Sequence, residues 1–495
     1  MPRDLLAQPL FRADHLGARI PDDPHAVSVC LPLWSHNIGY EEADAHVVAK
    51  LQAAYPRFHF HPIVQNLCDR SLNTEGYRGL PFASTRCAQR AVQYVQNYGA
   101  AETQLVSFEG QSACGVVVPA ENFSLLKQYW QHAGENVSSR VAEQILSGVR
   151  ATTTETTARS TVRRRVADLI GAATSDVFLF PSGMAAIACV WRAVATLRHR
   201  RTCQFGFPYV DSLKIQQRFP GAECDFLPIG SEADIEKLEQ LCKTQTPAAV
   251  FCEVPTNPLL ETPDLLRLRR ITDQHNILLI VDDTLAACGN LQLLHYADLV
   301  ATSLTKYFSG YGNVLAGSLA INPLGRHADD LHKAVTGNFE ETLSDLDVEV
   351  LAKNSQNHVE RTAAINRSAL LLVEYLLKHP AVESVFHPSV APAKYDRLKS
   401  VGGGYGGLLS IVLNDAQNST PNMFDALQVS KGPNLGTRFT LCCPYTLLAH
   451  YDELDFAESC GVSRWLLRIS VGTEPINELI TRFGRALDHG TGPVA

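Results

Sequence analysis

The chain has 495 residues, of which 45% are hydrophobic and 19% are charged, and its formal net charge is −8. This length predicts two or three globular units, because one hydrophobic core rarely serves so many residues. The negative charge argues against a nucleic-acid partner, since binding to phosphates requires a basic face. The composition is that of a soluble globular protein.

The cysteines and the longest apolar runs bear on the cellular compartment. Thirteen cysteines are scattered along the chain without a Cys-x-x-Cys pair, which predicts reduced, buried thiols. No segment has the roughly 20 apolar residues of a membrane helix. The N-terminus, Met1-Pro2-Arg3-Asp4, lacks the apolar stretch of a signal peptide. We therefore predict a cytoplasmic protein with no membrane partner.

The first 145 residues differ in pattern from the rest. The run Ala26–Leu33 is apolar and strand-like, and Phe58-His59-Phe60-His61 alternates in the manner of a strand with both histidines on one face. Two imidazoles can begin a metal site, but no third ligand follows at a recognisable spacing. We predict no metal and assign these histidines a structural or substrate-channel role.

Alternating strand-like and helix-like segments follow, up to about residue 321. The predicted strands are Val177–Phe180, Cys203–Phe207, Glu223–Leu227, Ala249–Val254, Leu278–Asp282, Leu299–Thr302 and Leu315–Ile321. Uniformly apolar strands separated by helix-length segments predict a mostly parallel sheet with helices on both faces. Ligands of such sheets bind at the carboxyl ends of the strands.

The C-terminal third predicts a smaller α/β unit. Long helices are expected over about 326–378, and strands at Leu408–Leu413, Arg438–Cys442 and Leu466–Val471. The expected division of the chain is an N-terminal extension (1–145), a large domain (146–375) and a small C-terminal domain (376–495).

One lysine, Lys306, comes just after the predicted strand Leu299–Thr302, and Asp282 ends the strand before it. Neighbouring strand ends let the two side chains face each other. Pyridoxal phosphate (PLP) chemistry uses such a pair, because a lysine amine forms the Schiff base and a carboxylate holds the pyridine nitrogen protonated. The lysine acts as nucleophile and base only if burial or nearby positive charge lowers its pKa. A solvated lysine after a core strand fits the local sequence equally well.

A second motif, Pro181-Ser182-Gly183-Met184, lies between a predicted strand and a helix that runs to about Arg198. A strand, a glycine turn and a helix N-terminus form a cradle for phosphate, because backbone N–H groups and the helix dipole point at the anion. Taken alone, the motif would favour an ordinary strand–helix turn.

Together, five stretches resemble the motifs of the Cys/Met-metabolism family of PLP enzymes, of the cystathionine γ-synthase type. They are Ser182-Gly183-Met184-Ala185, Tyr209-Val210-Asp211-Ser212, Glu253-Val254-Pro255-Thr256-Asn257-Pro258, Val281-Asp282-Asp283-Thr284 and Ser303-Leu304-Thr305-Lys306. The family typically has SGM-A, Y-G-G-T, E-x-P-x-N-P, V-D-N-T and S-x-T-K, in this order. The resemblance runs from about residue 138 to 490 and includes Leu467–Gly472, in which Arg468, Ser470 and Gly472 have the spacing of the R-x-S-x-G in the family's L-x-R-x-S-x-G. The first 140 residues resemble the extra N-terminal part of fungal cystathionine γ-synthases.

This resemblance implies a fold type I PLP-dependent transferase, with a mostly parallel seven-stranded sheet, helices on both faces and a smaller C-terminal α/β domain. The implied cofactor is pyridoxal 5′-phosphate. Lys306 would hold it and shuttle protons, Asp282 would pair with the pyridinium, and Tyr209 would stack on the ring. The family's sites are shared between subunits, which implies a homodimer or homotetramer.

The remaining implied roles concern the phosphate and the substrate carboxylate. The N–H groups of Gly183 and Met184, in the motif that Ser182 begins, would bind the phosphate together with the hydroxyls of Ser303 and Thr305. Asn257 would lie near the ring hydroxyl and the substrate carboxylate, and Arg468 would bind that carboxylate, for which a planar guanidinium is well suited.

The implied reaction is γ-replacement on an O-acyl-L-homoserine such as O-acetylhomoserine. The nucleophile would be the thiol of cysteine, giving cystathionine in amino-acid biosynthesis, or a carbon nucleophile in specialised metabolism. Two alternatives share most of these residues: β- or γ-elimination of a sulfur amino acid, and a non-catalytic subunit of the same fold.

One departure concerns a Tyr-x-Arg motif that family members carry before the helix leading to Ser182, and that reaches the neighbouring subunit's site. No tyrosine stands between Tyr129 and Tyr209 in this chain. Arg150 and Arg159 are the candidates for the phosphate contact, and the absent tyrosine raises the prospect of a changed nucleophile.

Overall fold

A computed structural model of the chain describes residues 3–55, 58–100, 102–151 and 157–490. The strands of these residues form three sheets, with three, seven and five strands. The sheets follow one another along the chain, and the central sheet carries the functional motifs on its strand ends. No helix in the described part of the chain is long and apolar enough to cross a membrane.

The N-terminal sheet has the order β1-β3-β2, with β3 antiparallel to both neighbours. Its helices and strands are α1 (Trp34–Glu41), α2 (Ala45–Val48), α3 (Pro62–Ser71), β1 (Tyr77–Phe82), α4 (Thr85–Asn97), β2 (Gln104–Ser107), β3 (Cys114–Pro119), α5 (Phe123–Ala133) and α6 (Ser139–Leu146). The buried side chains of this sheet and its helices share one core cluster with α8 and with one face of the central sheet. The N-terminal part is therefore packed directly on the layer that bears the phosphate motif.

The central sheet has the order β4-β10-β9-β8-β7-β5-β6. Its elements are α7 (Thr157–Ile170), β4 (Val177–Phe180), α8 (Gly183–Leu197), β5 (Thr202–Phe205), α9 (Val210–Arg218), β6 (Cys224–Leu227), α10 (Glu232–Thr244), β7 (Ala249–Glu253), α11 (Leu265–His275), β8 (Leu278–Asp282), β9 (Leu299–Thr302), β10 (Gly317–Ile321), α12 (Ala328–Asn338), α13 (Asp345–Asn354) and α14 (His358–Leu376). Only β10 runs antiparallel to its neighbours. The prediction of an α/β fold with a mostly parallel sheet is confirmed, and its cause is that the central strands are buried on both faces.

The C-terminal sheet has the order β11-β12-β15-β14-β13. Its elements are β11 (Val382–Phe386), α15 (Pro392–Asp396), β12 (Leu408–Leu413), α16 (Ala416–Ala426), β13 (Ser430–Lys431), β14 (Leu441–Pro444), α17 (Tyr445–Ala449), α18 (Leu454–Ser459), β15 (Leu467–Ser470) and α19 (Ile476–Gly490). Helices α14, α16 and α19 pack on this sheet around one core cluster. Strand β15 carries Arg468 towards the central sheet.

The first 55 residues connect the central and C-terminal sheets. The predicted strand Ala26–Leu33 is wrong: the only pairing there within the described residues is an isolated bridge between Arg19 and Val29. The N–H of Val27 instead donates to the carbonyl of Gly312 (2.9 Å), and that of Leu31 donates to the carbonyl of Lys431 (3.0 Å). The apolar side chains of this run are buried because the run crosses the junction, and not because it belongs to a sheet.

The predicted strand Phe58–His61 is also wrong. His61 begins α3 as its N-cap, with Nδ1 accepting a hydrogen bond from the N–H of Ile63 at 3.2 Å. The ring of His59 packs against Tyr40, with centroids 4.0 Å apart. Both histidines therefore have structural contacts.

Candidate active site

All ten residues that the sequence analysis assigned to a site line one cavity at the carboxyl edge of the central sheet. They are Ser182, Gly183, Met184, Tyr209, Asn257, Asp282, Ser303, Thr305, Lys306 and Arg468. The parallel strands β7 and β8 end there in register, at Glu253 and Asp282, and β9 ends just before Ser303. Because these strands run in the same direction, their motifs meet in space although they lie far apart in the sequence.

Lys306 is buried, with 9% of its surface exposed. Its Nζ donates to the hydroxyl of Tyr55 at 2.8 Å and to Oδ1 of Asn434 at 2.6 Å. The loop that carries Asn434 comes this close because residue 436 is a glycine with φ +72°, and a Cβ at that position would lie 2.5 Å from the N atom of Tyr307. The amine is thus held at a defined point of the cavity by two polar groups.

Two carboxylic acids lie side by side at the strand ends. Asp282 accepts a hydrogen bond from the N–H of Thr284 at 2.9 Å, and burial raises its pKa. Burial and the charge of Asp282 raise the pKa of Glu253 well above its ordinary value, and Glu253 accepts from the N–H of Tyr209 at 2.6 Å. A cation beside Asp282 would favour the ionised form of its carboxyl group.

The N-terminus of α8 points into the same cavity. The Ser182 hydroxyl caps the helix, because it accepts from the N–H of Ala185 at 3.0 Å and donates to the carbonyl of Gly134 at 2.7 Å. Among the described residues, the N–H groups of Gly183 and Met184 have no hydrogen-bond partner. A Cβ on Gly183 would lie 2.8 Å from Cβ of Ser303, so only glycine lets the two loops approach. Unpartnered N–H groups at a helix N-terminus are the kind of groups that bind anions in proteins.

The two hydroxyls predicted to assist this cradle differ in their contacts. Thr305 Oγ1 donates to the carbonyl of Ala316 at 3.2 Å and accepts from its N–H at 3.0 Å, so its bonds are already made within the chain. The backbone N–H of Ser303 donates to Thr284 Oγ1 at 2.8 Å, which orients the loop. Ser303 therefore has a hydroxyl more readily available to an anion than Thr305 has.

Arg468 is buried on the opposite side of the cavity, with 5% of its surface exposed. Its Nη2 donates to the carbonyl of Pro433 at 2.8 Å, and its Nη1 donates to Oδ1 of Asn257 at 3.3 Å. The guanidinium lies 4.5 Å from the ring centre of Tyr445, whose hydroxyl accepts from Asn257 Nδ2 at 3.0 Å. None of the ion pairs found in the described residues involves Arg468, so its buried positive charge has no carboxylate partner there.

The comparisons with known proteins agree with this geometry. The family model described as "Cys/Met metabolism PLP-dependent enzyme" matches residues 116–488, and "Fungal trans-sulfuration enzyme, N-terminal domain" matches residues 63–138. The chain belongs to the Cys/Met-metabolism family of PLP-dependent enzymes. Its cofactor is pyridoxal 5′-phosphate.

Two relatives match this chain over nearly its whole length. A cystathionine gamma-synthase of Neurospora crassa is 32% identical, with 95% of this chain and 98% of the relative covered. A cystathionine gamma-synthase-like protein, ankD of Aspergillus thermomutatus, is 32% identical, with 94% and 93% covered. A crystal structure of cystathionine gamma synthase from Xanthomonas oryzae pv. oryzae, in complex with cystathionine, has a TM-score of 0.58 at 23% identity, covering 66% of this chain and 84% of that chain. This last likeness concerns the fold.

The residues present fit PLP. An amine on Lys306, a strand-end carboxylate on Asp282 and the unpartnered amides of Gly183 and Met184 converge on one cavity. The amine, the carboxylate and the amides are groups of the kinds that bind, respectively, the aldehyde, the ring nitrogen and the phosphate of the cofactor. When bound, PLP supplies an electron sink for bonds broken at the carbon atoms of an amino acid.

Sequence reasoning missed Tyr55 and Asn434, the two residues that hold Lys306. The sequence contains a signal for Tyr55, because Tyr55-Pro56-Arg57 has the Tyr-x-Arg spacing. It lies about 100 residues before α7, far from the place where the family carries this motif. The chain therefore brings a tyrosine to its own site from the N-terminal segment, although no tyrosine stands between Tyr129 and Tyr209. Arg57 lies outside the described residues.

The two arginines considered for the phosphate contact do not line the cavity. Arg150 is exposed and pairs with Glu109 at 2.8 Å. Arg159 pairs with Glu341 at 2.8 Å and with Asp345 at 2.7 Å. Both side chains therefore pair with acids of this chain outside the cavity.

The N-terminal part also reaches the loop of Tyr209. Asp211, where the family has glycine, is fully buried, and its Oδ1 lies 2.8 Å from Nδ1 of His132 on α5.

We expect His132→Ala to weaken PLP binding about tenfold, because it leaves a buried acid without this partner beside the tyrosine loop. Cofactor release on dialysis, followed by absorbance, measures this. His132→Gln, which keeps a donor, should recover part of the affinity, and the exposed His199→Ala should change nothing. An unaltered PLP affinity in His132→Ala would contradict the assignment.

A second departure, Asp283 in place of the family's asparagine, predicts a pH effect on stability. Burial raises the pKa of Asp283 to about 7, and its carboxylate accepts from the hydroxyl of Thr302. The folded state therefore binds this proton more tightly than the unfolded state does. Protonation of Asp283 therefore stabilises the folded state; this contribution is complete below about pH 4 and is lost as the pH rises through 7.

We expect Asp283→Asn to raise the unfolding free energy at pH 8 by about 2–4 kcal/mol, and by less at pH 5. Urea unfolding at both pH values measures it, and an equal change at both would contradict the cause given.

Proposed function

We propose that this PLP-dependent enzyme is a transferase that catalyses γ-replacement on an O-acyl-L-homoserine. The nucleophile is a thiol, with cysteine giving cystathionine, or a carbon nucleophile. The observation that carries the proposal is that a second cavity meets the first one along Tyr55, Tyr209 and Arg468, which line both. Replacement needs room for two substrates beside the reacting carbon, whereas elimination needs room for one.

In this proposal the chain's own groups bind the amino acid and move its protons. Arg468 and Asn257 bind the α-carboxylate, which gives the buried guanidinium its counter-charge. Lys306 removes the proton from Cα and then one from Cβ, and Tyr55, 2.8 Å from Nζ, orients the amine. The Cγ–O bond breaks and the acyloxy group leaves as a carboxylate. The nucleophile then bonds to Cγ, and protons return to Cβ and Cα.

The remaining site residues hold the cofactor in this proposal. Asp282 pairs with the ring nitrogen, and Tyr209 stacks on the ring. The N–H groups of Gly183 and Met184 bind the phosphate together with the Ser303 hydroxyl. Ser182 and Thr305 contribute by shaping this cradle, since their hydroxyls already have partners in the chain.

A product assay tests the reaction. The purified chain with PLP receives O-acetyl-L-homoserine alone, with cysteine, and with a small β-keto acid, and the products are identified by mass spectrometry. A thioether or a carbon-extended amino acid formed only with the nucleophile is the expected result. Ammonia and 2-oxobutanoate in every tube would instead establish elimination. No turnover of any O-acylhomoserine would overturn the proposal and favour a non-catalytic subunit.

We further propose that the chain divides into 1–145, 146–375 and 376–495, and that it works as a cytoplasmic homodimer or homotetramer. The three sheets fall within these three ranges. All thirteen cysteines lie in the described residues as free thiols, which supports a reducing compartment. Size-exclusion chromatography with light scattering tests the oligomer.

A further inference from the structure

The backbone turn that begins at Lys306 is held by one arginine, Arg361, in the first turn of α14. Its Nη2 donates to the carbonyls of three successive residues, Tyr307 (2.9 Å), Phe308 (3.0 Å) and Ser309 (3.0 Å). These residues directly follow Lys306 in the chain. A single guanidinium group therefore holds the stretch of backbone that carries the amine.

The close approach of Arg361 to this turn depends on a glycine. The N–H of Gly310 donates to the carbonyl of Lys306 at 2.7 Å, which closes the turn. Gly310 has φ +73°, and a Cβ at this position would clash with Nε of Arg361. Glycine at 310 therefore allows both the left-handed backbone and the direct contact with the guanidinium.

The positive charge of Arg361 is buried and has no acid beside it. The residue is 5% exposed, and none of the ion pairs found in the described residues involves it. Its Nη1 donates to two further oxygens, the carbonyl of Asn354 (3.3 Å) and Oδ1 of Asn357. Burial lowers the pKa of Arg361 to about 10. Such a charge is costly to bury, and three of the five oxygens that compensate it belong to the Lys306 turn.

Helix α14 connects this turn to the C-terminal sheet. Nδ1 of His358, one helical turn before Arg361, lies 3.1 Å from the carbonyl oxygen of Tyr307, so two side chains of α14 meet the same turn. The second half of the helix packs in the core of the C-terminal sheet, through Ala369, Leu372, Val373 and Leu376. Strand β15 of that sheet carries Arg468. The helix therefore ties the Lys306 turn to the sheet that bears the other buried cation of the site.

We infer that Arg361 is a positioning residue for Lys306: it fixes the turn from Lys306 to Gly310 on α14 and so sets where the amine stands relative to Arg468. Tyr55 and Asn434 orient the tip of the lysine, whereas Arg361 fixes its backbone. This inference rests on the proposed role of Lys306 as the lysine that binds PLP and carries the protons. Arg361 is not among the described residues that line the cavity. Its effect is therefore expected on the steps that the amine performs, and not on binding of the amino acid.

Two substitutions of Arg361 test this in steady-state kinetics. Arg361→Lys keeps the charge but lacks the fork that bonds several carbonyls, and Arg361→Met keeps only the apolar stem. We expect kcat to fall about 10-fold in Arg361→Lys and about 100-fold in Arg361→Met, because a misplacement of about 1 Å has an effect of this size. KM for the O-acylhomoserine should change less than about threefold, since Arg468 and Asn257 are left in place.

The matched control is Arg165→Met. Arg165 is a partly buried arginine on α7 whose Nη1 donates to the carbonyl of Ala352 (2.5 Å) and to Oγ of Ser355 (2.8 Å), and it does not reach the Lys306 turn. It should lose stability in urea much as Arg361→Met does and keep the kcat of wild type. An equal loss of kcat in this control, or wild-type kcat in Arg361→Lys and Arg361→Met, would overturn the inference. If Arg361→Met does not fold, Arg361→Lys decides.

The rate of PLP attachment is a readout that does not depend on turnover. Apoprotein is mixed with PLP and quenched with borohydride at increasing times, and the fraction of the Lys306 peptide that carries the cofactor is read by mass spectrometry. The amine condenses with the aldehyde and releases water, so the rate reports how well the amine is placed. Arg361→Met should attach PLP at least about tenfold more slowly than wild type and Arg165→Met. If wild type attaches PLP to a different lysine, the proposed role of Lys306 is wrong and the inference falls with it. If Lys306 is the attachment site and the Arg361 variants attach PLP as fast as wild type, only the inference is wrong.

Discussion

Replacing Lys306 with alanine should reduce turnover by at least about 10⁴-fold and abolish covalent capture of PLP. The side chain is buried at the meeting point of the strand ends, and its Nζ is oriented by Tyr55 and Asn434. In the described residues no other lysine lines the cavity, so no second amine stands in the same place. Under the proposed function, the substitution removes both the attachment point of PLP and the group that carries the protons.

The attachment is measured without reference to activity. Borohydride reduction of the PLP-loaded protein, followed by proteolysis and mass spectrometry, should find the cofactor's mass on the peptide that contains Lys306. Lys306→Ala should carry no such mass, and Lys399→Ala, at the surface near Asp396, should behave as wild type. A cofactor adduct on a different lysine of the wild type would refute the assignment.

Replacing Arg468 with lysine should raise KM for the amino acid about 100-fold and affect kcat less. The guanidinium is held by Asn257, the carbonyl of Pro433 and the ring of Tyr445. A planar guanidinium is suited to binding a carboxylate through two parallel hydrogen bonds. A lysine ammonium keeps the charge but lacks this geometry and the ring contact. The effect is thus expected on binding of the α-carboxylate.

Spectral titration of the PLP-loaded protein with the amino acid checks this at equilibrium, and initial rates give the split between KM and kcat. Arg464→Lys is the matched control, because Arg464 is on the surface and pairs with Asp455 and Glu458. An Arg468→Lys variant that binds the amino acid as tightly as wild type would show that the carboxylate is held elsewhere.

The strand ends of the central sheet were predictable because they obey local rules. Val177–Phe180, Leu278–Asp282 and Leu299–Thr302 have the bounds expected from the sequence. Each is a short apolar run that is buried on both faces and ends at a polar or turn residue. Parallel strands bring their carboxyl ends to one edge of the sheet. Because Asp282 ends one such strand and Lys306 follows the next one along the chain, their proximity was predictable from the sequence.

Other features depended on contacts between distant parts of the chain. Strand β14 begins at Leu441, later than the predicted Arg438, because the N–H of Arg438 donates to the carbonyl of Gly310 (2.8 Å) and that of Thr440 donates to Glu474 (2.6 Å). Tyr55 reaches Lys306 across 251 positions. No local pattern encodes such a meeting, and the burial of Ala26–Leu33 was mistaken for a strand for the same reason.

The most direct test of the account is a reaction run in deuterium oxide with O-acetyl-L-homoserine and cysteine. Proton removal by Lys306 at Cα and Cβ predicts cystathionine with deuterium at both carbons of the homoserine-derived half, read by NMR and mass spectrometry, and no product from Lys306→Ala. Cystathionine without deuterium at Cβ would mean direct displacement at Cγ and would contradict the mechanism. Deuterated 2-oxobutanoate without cystathionine would contradict γ-replacement itself.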